Sequence, residues 1–366
     1  MAVIVVKIGT SSLVGADGLP RAEVLDERVG DLVRILRQGH RPVLVTSGAI
    51  AVGLGRLGVR DRPTALPDLQ AASAVGQGVL FGHYLEAFGR HGVAPAQVLL
   101  TSADLERRAS YVNARNTLSR LLELDVVPVV NENDTTATDD ITFGDNDVLA
   151  AHVAIFLRAT WLVLLTEREG LYVRGADGAP ELLRDVPAGV APESIELAEM
   201  SSSPMGRGGV SSKVAAAGMA TAGGVTCVIA SATEPGVITS VAHGAHVGTR
   251  FAPAGDQRSA FKLWLRYAKP AMGRVTVDAG AARALENAGT SLLPVGVTGC
   301  DGAFVAGDAV DVVAADGRLV GKGITALSTE EVRVVAGLRS DLVRRRLPDA
   351  PEEVIHRDQF VLLPSG

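Results

Sequence analysis

Residues 3–12 read VIVVKIGTSS: a run of apolar, β-branched residues that passes straight into Lys7, Gly9, Thr10, Ser11 and Ser12. An apolar run without alternation is the mark of a strand buried on both faces, and small polar residues directly behind it mark a loop at its carboxyl end. The same texture recurs at Val43 to Thr46, Gln97 to Thr101, Val126 to Val130, Leu162 to Thr166 and Thr226 to Ala230, with helical patterns between. Between the first two runs Leu25, Val29, Leu32, Val33 and Leu36 fall on one helical face, and Gly39 supplies a C-terminal stop. Such alternation predicts an α/β fold, a mainly parallel sheet sandwiched by helices, from residue 1 to 255.

Beyond that region the texture changes. PAGDQRS and LWLRYAKP form a linker over 256–272, and brief strands with turns at AGDA, AADGR and GKG predict a smaller, mostly β domain over 273–350. Residues 351–366 add an edge strand at Phe360 to Leu363 or simply trail. At 366 residues the chain exceeds one ordinary core, in keeping with two domains.

Composition narrows the function. Cys227 and Cys300 are the only cysteines, which excludes a disulfide framework and a cysteine-rich zinc site, and no metal-ligating cluster stands out elsewhere. Apolar runs stay far short of the ~20 residues that cross a bilayer, and MAVIVV lacks the basic segment of a secretion signal, so the protein reads as cytoplasmic with no membrane partner. A net charge of −6 argues against wholesale nucleic-acid binding. Small anionic ligands would need locally placed cations.

Lysine occurs five times, and two copies sit in small-residue loops: Lys7 in the opening stretch and Lys213 at the end of GRGGVSSK. Glycine and serine let backbone N–H groups approach an anion while lysine adds a mobile positive charge, so the pair reads as a phosphate grip, with ordinary strand-to-helix turns as the alternative. In an open α/β sheet ligands gather at the carboxyl ends of strands. The positions there are Lys7 with Gly9; Thr46, Ser47, Gly48 and Ala49; Asn131, Glu132, Asn133 and Asp134; and Thr166 with Glu167. Gly144, Asp145, Asn146 and Asp147 precede a further helical pattern, where Asp145 alone could be no more than a helix cap. Gly53, Gly55 and Gly58 spell GxGxxG seven residues too late for a dinucleotide fingerprint; Gly317, Gly321 and Lys322 lack P-loop spacing; His243 and His246 have no companions for a metal site.

VVKIGTSSL, VTSGAIAVG, NENDTTATDDITFGDND, LLTEREGLY and GRGGVSSK, in this order and spacing, resemble the amino acid kinase family, in its glutamate 5-kinase branch. Residues 273 to 350, with GTSLLPVGV and the AGDAV and GKGIT turns, resemble a PUA domain. The resemblance implies transfer of a phosphoryl group from ATP, with Mg²⁺, to the side-chain carboxylate of L-glutamate, giving γ-glutamyl phosphate, the first step of proline biosynthesis. It implies catalytic roles for Lys7 and Lys213 at the phosphoryl group, with Asp147 orienting both. Ser47, Asp134 and Asn146 match the glutamate-binding positions. Lys7, Thr166, Glu167 and the stretch Arg207, Gly208, Gly209, Val210, Ser211, Ser212 and Lys213 match the nucleotide side. Proline feedback, a homo-oligomer and hand-over to glutamate-5-semialdehyde dehydrogenase are further expectations of this kind.

The chain departs from the family pattern on the nucleotide side alone: Glu167 stands for the usual Asp, Arg207 and Val210 for the Thr and Met of GTGGM, and VRGADGAP for the TADPR segment. An aspartate, N-acetylglutamate or carbamate kinase is the neighbouring alternative. An RNA-binding PUA protein is the alternative from another class, and nine basic against nine acidic residues between Gly273 and Arg346 weigh against it.

Overall fold

The computed structural model describes residues 1–15, 17–106, 108–136, 145–190, 194–198, 209–254, 260–267, 269–348 and 350–363, grouped in two compact units, Met1–Ala260 and Phe261–Gly366. The first unit runs β1 (Val3–Ile8), α1 (Thr10–Leu13), α2 (Ala22–Arg37), β2 (Arg41–Val45), α3 (Ala49–Leu57), α4 (Leu66–Gly89), β3 (Pro95–Leu100), α5 (Ser102–Glu106), α6 (Arg108–Glu123), β4 (Val127–Glu132), α7 (Asp145–Phe156), β5 (Trp161–Thr166), β6 (Leu171–Arg174), β7 (Pro180–Leu183), β8 (Asp185–Val186), α8 (Val210–Ala222), β9 (Thr226–Ser231), α9 (Val237–Ala242) and β10 (Thr249–Phe251).

Eight of these strands form one sheet in the order β3-β4-β2-β1-β5-β9-β10-β8. Every pairing is parallel except β10 against β9. The unbroken apolar run of β1 explains its central place: Ile4, Val5, Val6 and Ile8 are wholly buried, so neither face of the strand meets water. α2 covers the sheet with Leu25, Val29, Leu32 and Val33, to which the structure adds Ile35, and Gly39 leaves the helix at φ +86. A separate antiparallel hairpin, β6-β7, grows from the carboxyl end of β5.

The glycines of the GxGxxG stretch have packing duties. A Cβ on Gly53 would lie 1.8 Å from Ala72 O, and one on Gly76 would lie 1.9 Å from Ala49 O, so the α3 and α4 backbones touch. Gly58 ends α3 at φ +69.

The second unit contains α10 (Ala260–Tyr267), which opens at the boundary, then β11 (Gly273–Val277), α11 (Ala279–Ala288), β12 (Val297–Gly302), β13 (Ala309–Ala314), β14 (Leu319–Ile324), α12 (Thr329–Val335), α13 (Ser340–Arg346) and β15 (Phe360–Leu362). Its sheet has the order β12-β11-β13-β14-β15, with only β11 and β13 parallel. Val275, Val277, Val310, Val312, Val332 and Ile355 build its own core. Gly317 serves the β13–β14 turn at φ +86, not a phosphate loop. No helix among the described residues is long and apolar enough to cross a membrane.

Candidate active site

The carboxyl ends of β1, β2, β4 and β5 and the first turns of α7 and α8 carry the residues singled out from sequence. Lys7 lies inside β1 as its penultimate residue, level with Val45 and Leu164, and is 5 % exposed. Lys213 lies in the first turn of α8, more than two hundred residues away. Asp147, in the first turn of α7 and wholly buried, joins them: its Oδ1 is 2.7 Å from Lys7 Nζ and its Oδ2 3.2 Å from Lys213 Nζ. Ser212 Oγ donates to the same Oδ2 at 2.8 Å. One carboxylate therefore fixes two ammonium groups from opposite parts of the sequence.

The electrostatics of this bridge are a balance. Burial alone would push the Asp147 carboxyl up, but Lys7 and Lys213, with the Lys7 and Ser212 hydrogen bonds, outweigh it and hold the group below the usual carboxylate range. Burial pulls the Lys7 ammonium below its ordinary value, Asp147 opposes this, and the charge of Lys213 adds to the lowering. Asp147 is thus what opposes the lowering of Lys7.

The surroundings suit an anion. At Gly9 the place a Cβ would take is 3.6 Å from Lys7 Nζ, so backbone and ammonium share an unobstructed corner. Gly209 caps α8 in extended conformation, and the N–H groups of Val210, Ser211 and Ser212 follow at a helix N-terminus, where partial positive charge gathers. Thr166 ends β5 and its carbonyl accepts from Ala232 N at 2.6 Å; Glu167 beside it is exposed. Arg207 and Gly208 lie outside the described residues.

A second group occupies the rim on the β2 and β4 side. Ser47 is buried and precedes Gly48, whose φ of +107 only glycine adopts without strain, and which turns the chain from β2 into α3. Asn146 Oδ1 accepts from Glu132 N at 3.2 Å, tying α7 to the end of β4. Asp134 accepts from Ser73 Oγ at 2.7 Å. Burial pushes its carboxyl above the ordinary value, only partly offset by the Ser73 hydrogen bond and the Arg62 charge. Asn131, 1 % exposed, donates from Nδ2 to Gln77 Oε1 at 2.7 Å. Thr46 Oγ1 and Tyr84 Oη lie 2.8 Å apart beneath this rim.

Ser73, Gln77 and Tyr84 come from α4 and are the residues that strand-end reasoning missed. Their signal was faint: isolated polar side chains at helical spacing in the apolar stretch 66–89, with no motif around them.

Known proteins resemble this chain over almost its whole length. The model of the amino acid kinase family matches residues 2–231, and that of the PUA domain matches residues 273–347. Glutamate 5-kinase of Myxococcus xanthus (strain DK1622) is 46% identical over 363 residues, covering 98% of this chain and 96% of that protein. Glutamate 5-kinases of Synechococcus sp. (strain JA-2-3B'a(2-13)) and Frankia casuarinae are 42% and 43% identical, each over 98% of this chain and 98% and 96% of their own lengths. With a family model spanning most of the first unit and relatives aligned from end to end, the chain belongs to the amino acid kinase family, in the glutamate 5-kinase branch that ends in a PUA domain.

Proposed function

We propose that the protein transfers the γ-phosphoryl group of ATP to the side-chain carboxylate of L-glutamate, forming γ-glutamyl phosphate for proline biosynthesis. The observation that carries this is the Lys7–Asp147–Lys213 bridge at the carboxyl rim of the sheet, in a chain whose relatives are glutamate 5-kinases. A glutamate carboxylate, with an intrinsic pKa of about 4.3, is ionised at neutral pH and needs no general base. The protein's work is then alignment and charge: Lys7 and Lys213 meet the equatorial oxygens of the transferring group, Asp147 holds both ammoniums in place, and the α8 N-terminus receives the nucleotide phosphates. Magnesium enters as part of the nucleotide substrate, bound through phosphate oxygens.

On the acceptor side Asp134 takes the substrate's ammonium, with Ser47 and Asn146 beside it. A carboxylate there favours a free amino group over the acylated nitrogen of N-acetylglutamate, which supports glutamate among the acceptors of this family. Thr166, Glu167 and 207–213 line the nucleotide side in this reading. The domain division 1–255, linker 256–272 and 273–350, cytoplasmic residence, homo-oligomerisation, feedback by proline, hand-over to the dehydrogenase and a role for the PUA domain in assembly or regulation belong to the same proposal. Incubation with ATP, Mg²⁺, glutamate and hydroxylamine is expected to yield γ-glutamyl hydroxamate; product from aspartate or N-acetylglutamate and none from glutamate overturns it. Salt-sensitive RNA binding lost on truncation after Asp256 would overturn the regulatory role of the second domain.

A further inference from the structure

We propose that helix α4 presets the corner that receives the substrate's ammonium group, through two positioning residues, Ser73 and Gln77; this rests on the reading of Asp134 as the ammonium's partner. The two side chains stand four residues apart on one face of α4 and reach the carboxyl end of β4 and the turn just after it: Ser73 donates to Asp134 Oδ2 at 2.7 Å, and Gln77 accepts from Asn131 Nδ2, near the end of β4, at 2.7 Å. Both contacts are tertiary, spanning 61 and 54 residues. Asp68, Gln70, His83 and Glu86 also lie on α4, but Ser73 and Gln77 share one face and direct their hydrogen bonds to the same end of β4.

Asn131 supplies the observation that points to a ligand. Its Nδ2 is spent on Gln77, while its Oδ1 is buried without a partner among the described residues. A buried acceptor left unmatched is costly, and an ammonium has three N–H donors to distribute. With Asp134 oriented by Ser73 and Asn131 turned by Gln77, a carboxylate and a carbonyl oxygen become available together, a donor-seeking pair suited to –NH₃⁺ and ill suited to an N-acylated nitrogen. The hydrogen bond from Ser73 also opposes the burial that pushes the Asp134 carboxyl up.

The backbone makes the arrangement stiff. Gly53 and Gly76 bring α3 and α4 into direct main-chain contact, so α4 cannot slide along α3, and α3 begins directly after Ser47 and Gly48. The β2 and β4 sides of the acceptor rim are thereby referred to one helix pair.

The test is a double-mutant cycle read in Michaelis constants, with thermal melts to check folding. Ser73→Ala is expected to raise glutamate KM about tenfold, the usual scale for deleting a hydrogen bond to a charged group, with kcat and ATP KM within about twofold of wild type. Placed on Asp134→Ala, the same change is expected to add nothing, because Ser73 acts through Asp134. Gln77→Met is expected to behave likewise against Asn131→Ala. Should Ser73→Ala prove too unstable to assay, Ser73→Cys, which keeps volume and weakens the donor, reads the same loss. Multiplicative effects in the double variants, or a Ser73 effect on ATP KM equal to that on glutamate KM, overturn the inference. If Asp134→Ala raises glutamate KM and Ser73→Ala does not, the inference alone falls; if Asp134→Ala itself leaves glutamate KM unchanged, the ammonium reading falls first.

Discussion

Replacing Asp147 by Asn is the perturbation that tests the centre of the site most directly. The change is nearly isosteric and removes one charge from between two ammonium groups at 2.7 and 3.2 Å. At an effective dielectric of about 20, those contacts correspond to gross attractions of roughly 6 and 5 kcal/mol, and breaking a buried pair typically costs about 3–5 kcal/mol net. Lys7, nearly inaccessible to water and already depressed by burial, has a way out: without Asp147 its ammonium gives up a proton. The folded protein then survives, but with a neutral amine where the phosphoryl group needs a cation, and losing one such preorganised donor costs about 10²–10³ in kcat. The sign follows from Lys7 being lowered further: its charge is present at low pH and lost as pH rises through the new, lower value. We expect kcat of Asp147→Asn to fall at least about a hundredfold and to recover partly as the pH is lowered, while wild type shows no such recovery. A kcat within about threefold of wild type, or a loss that does not vary with pH, refutes the reasoning.

Three further outcomes are expected. Lys213→Met keeps volume and deletes charge, so kcat should drop on the order of a hundredfold with a smaller change in glutamate KM; near-normal turnover removes Lys213 from the phosphoryl group. Gly76→Ala puts a Cβ 1.9 Å from Ala49 O, a backbone atom that cannot rotate away, so the melting temperature should fall by several degrees; an unchanged melt would mean that the helix pair is not in main-chain contact. His152 is buried with neither ring nitrogen partnered among the described residues, and burial pushes its pKa down to about 3. The unfolded chain takes up that proton below about 6.5 and the folded one does not, so folding loses about 1.4 kcal/mol per pH unit from about 6.5 down toward 3. Denaturant unfolding at pH 7 and pH 5 should show His152→Phe escaping about 2 kcal/mol of the decline that wild type suffers, and identical declines would contradict it.

What could be read from sequence, and what could not, divides along physical lines. β1, β2, β4, β5 and β9 were legible because parallel strands buried on both faces must be continuous apolar runs, and no helix of four to six residues competes. α4 left no clear trace: it buries Leu69, Ala72, Leu80, Tyr84 and Phe88 yet leaves Ala71, Ala74, Val75 and Leu85 exposed, so apolar residues surround it and give a periodicity no phase. β10 is three residues long and its antiparallel pairing with β9 has no local signature. The β6-β7 hairpin was hidden inside VRGADGAP, where Gly178 at φ +81 marks the turn between two short and weakly apolar strands. The same division applies to the site. Lys7 and Thr166 lie at the ends of strands, Ser47 and Asp134 lie just past them, and Asn146, Asp147 and Lys213 open helices, so strand ends and helix starts hold all of them. Ser73 and Gln77 enter from the middle of a helix, and only the tertiary contact of α3 with α4 brings them there.

The adjacency of Asn146 and Asp147 has a consequence for the reaction. Asn146 is hydrogen-bonded to the end of β4, beside the residues assigned to glutamate, and Asp147 binds the two lysines assigned to the phosphoryl group. Consecutive residues in a helix point about 100° apart, so under the proposed assignment one turn of α7 would serve two substrates from one rigid backbone. Phosphoryl transfer is sensitive to displacement of nucleophile and leaving group from a line, and a misplacement of about 1 Å can cost roughly a hundredfold. A salt bridge that contributed only stability could sit anywhere in the core, and apolar replacement would often serve as well. Placing it one residue from the proposed acceptor contact would make the position of the lysines a function of the position of glutamate. In this reading the buried Lys7–Asp147–Lys213 bridge earns its desolvation cost as a registration device, which is why its disruption is expected in kcat before it is expected in folding.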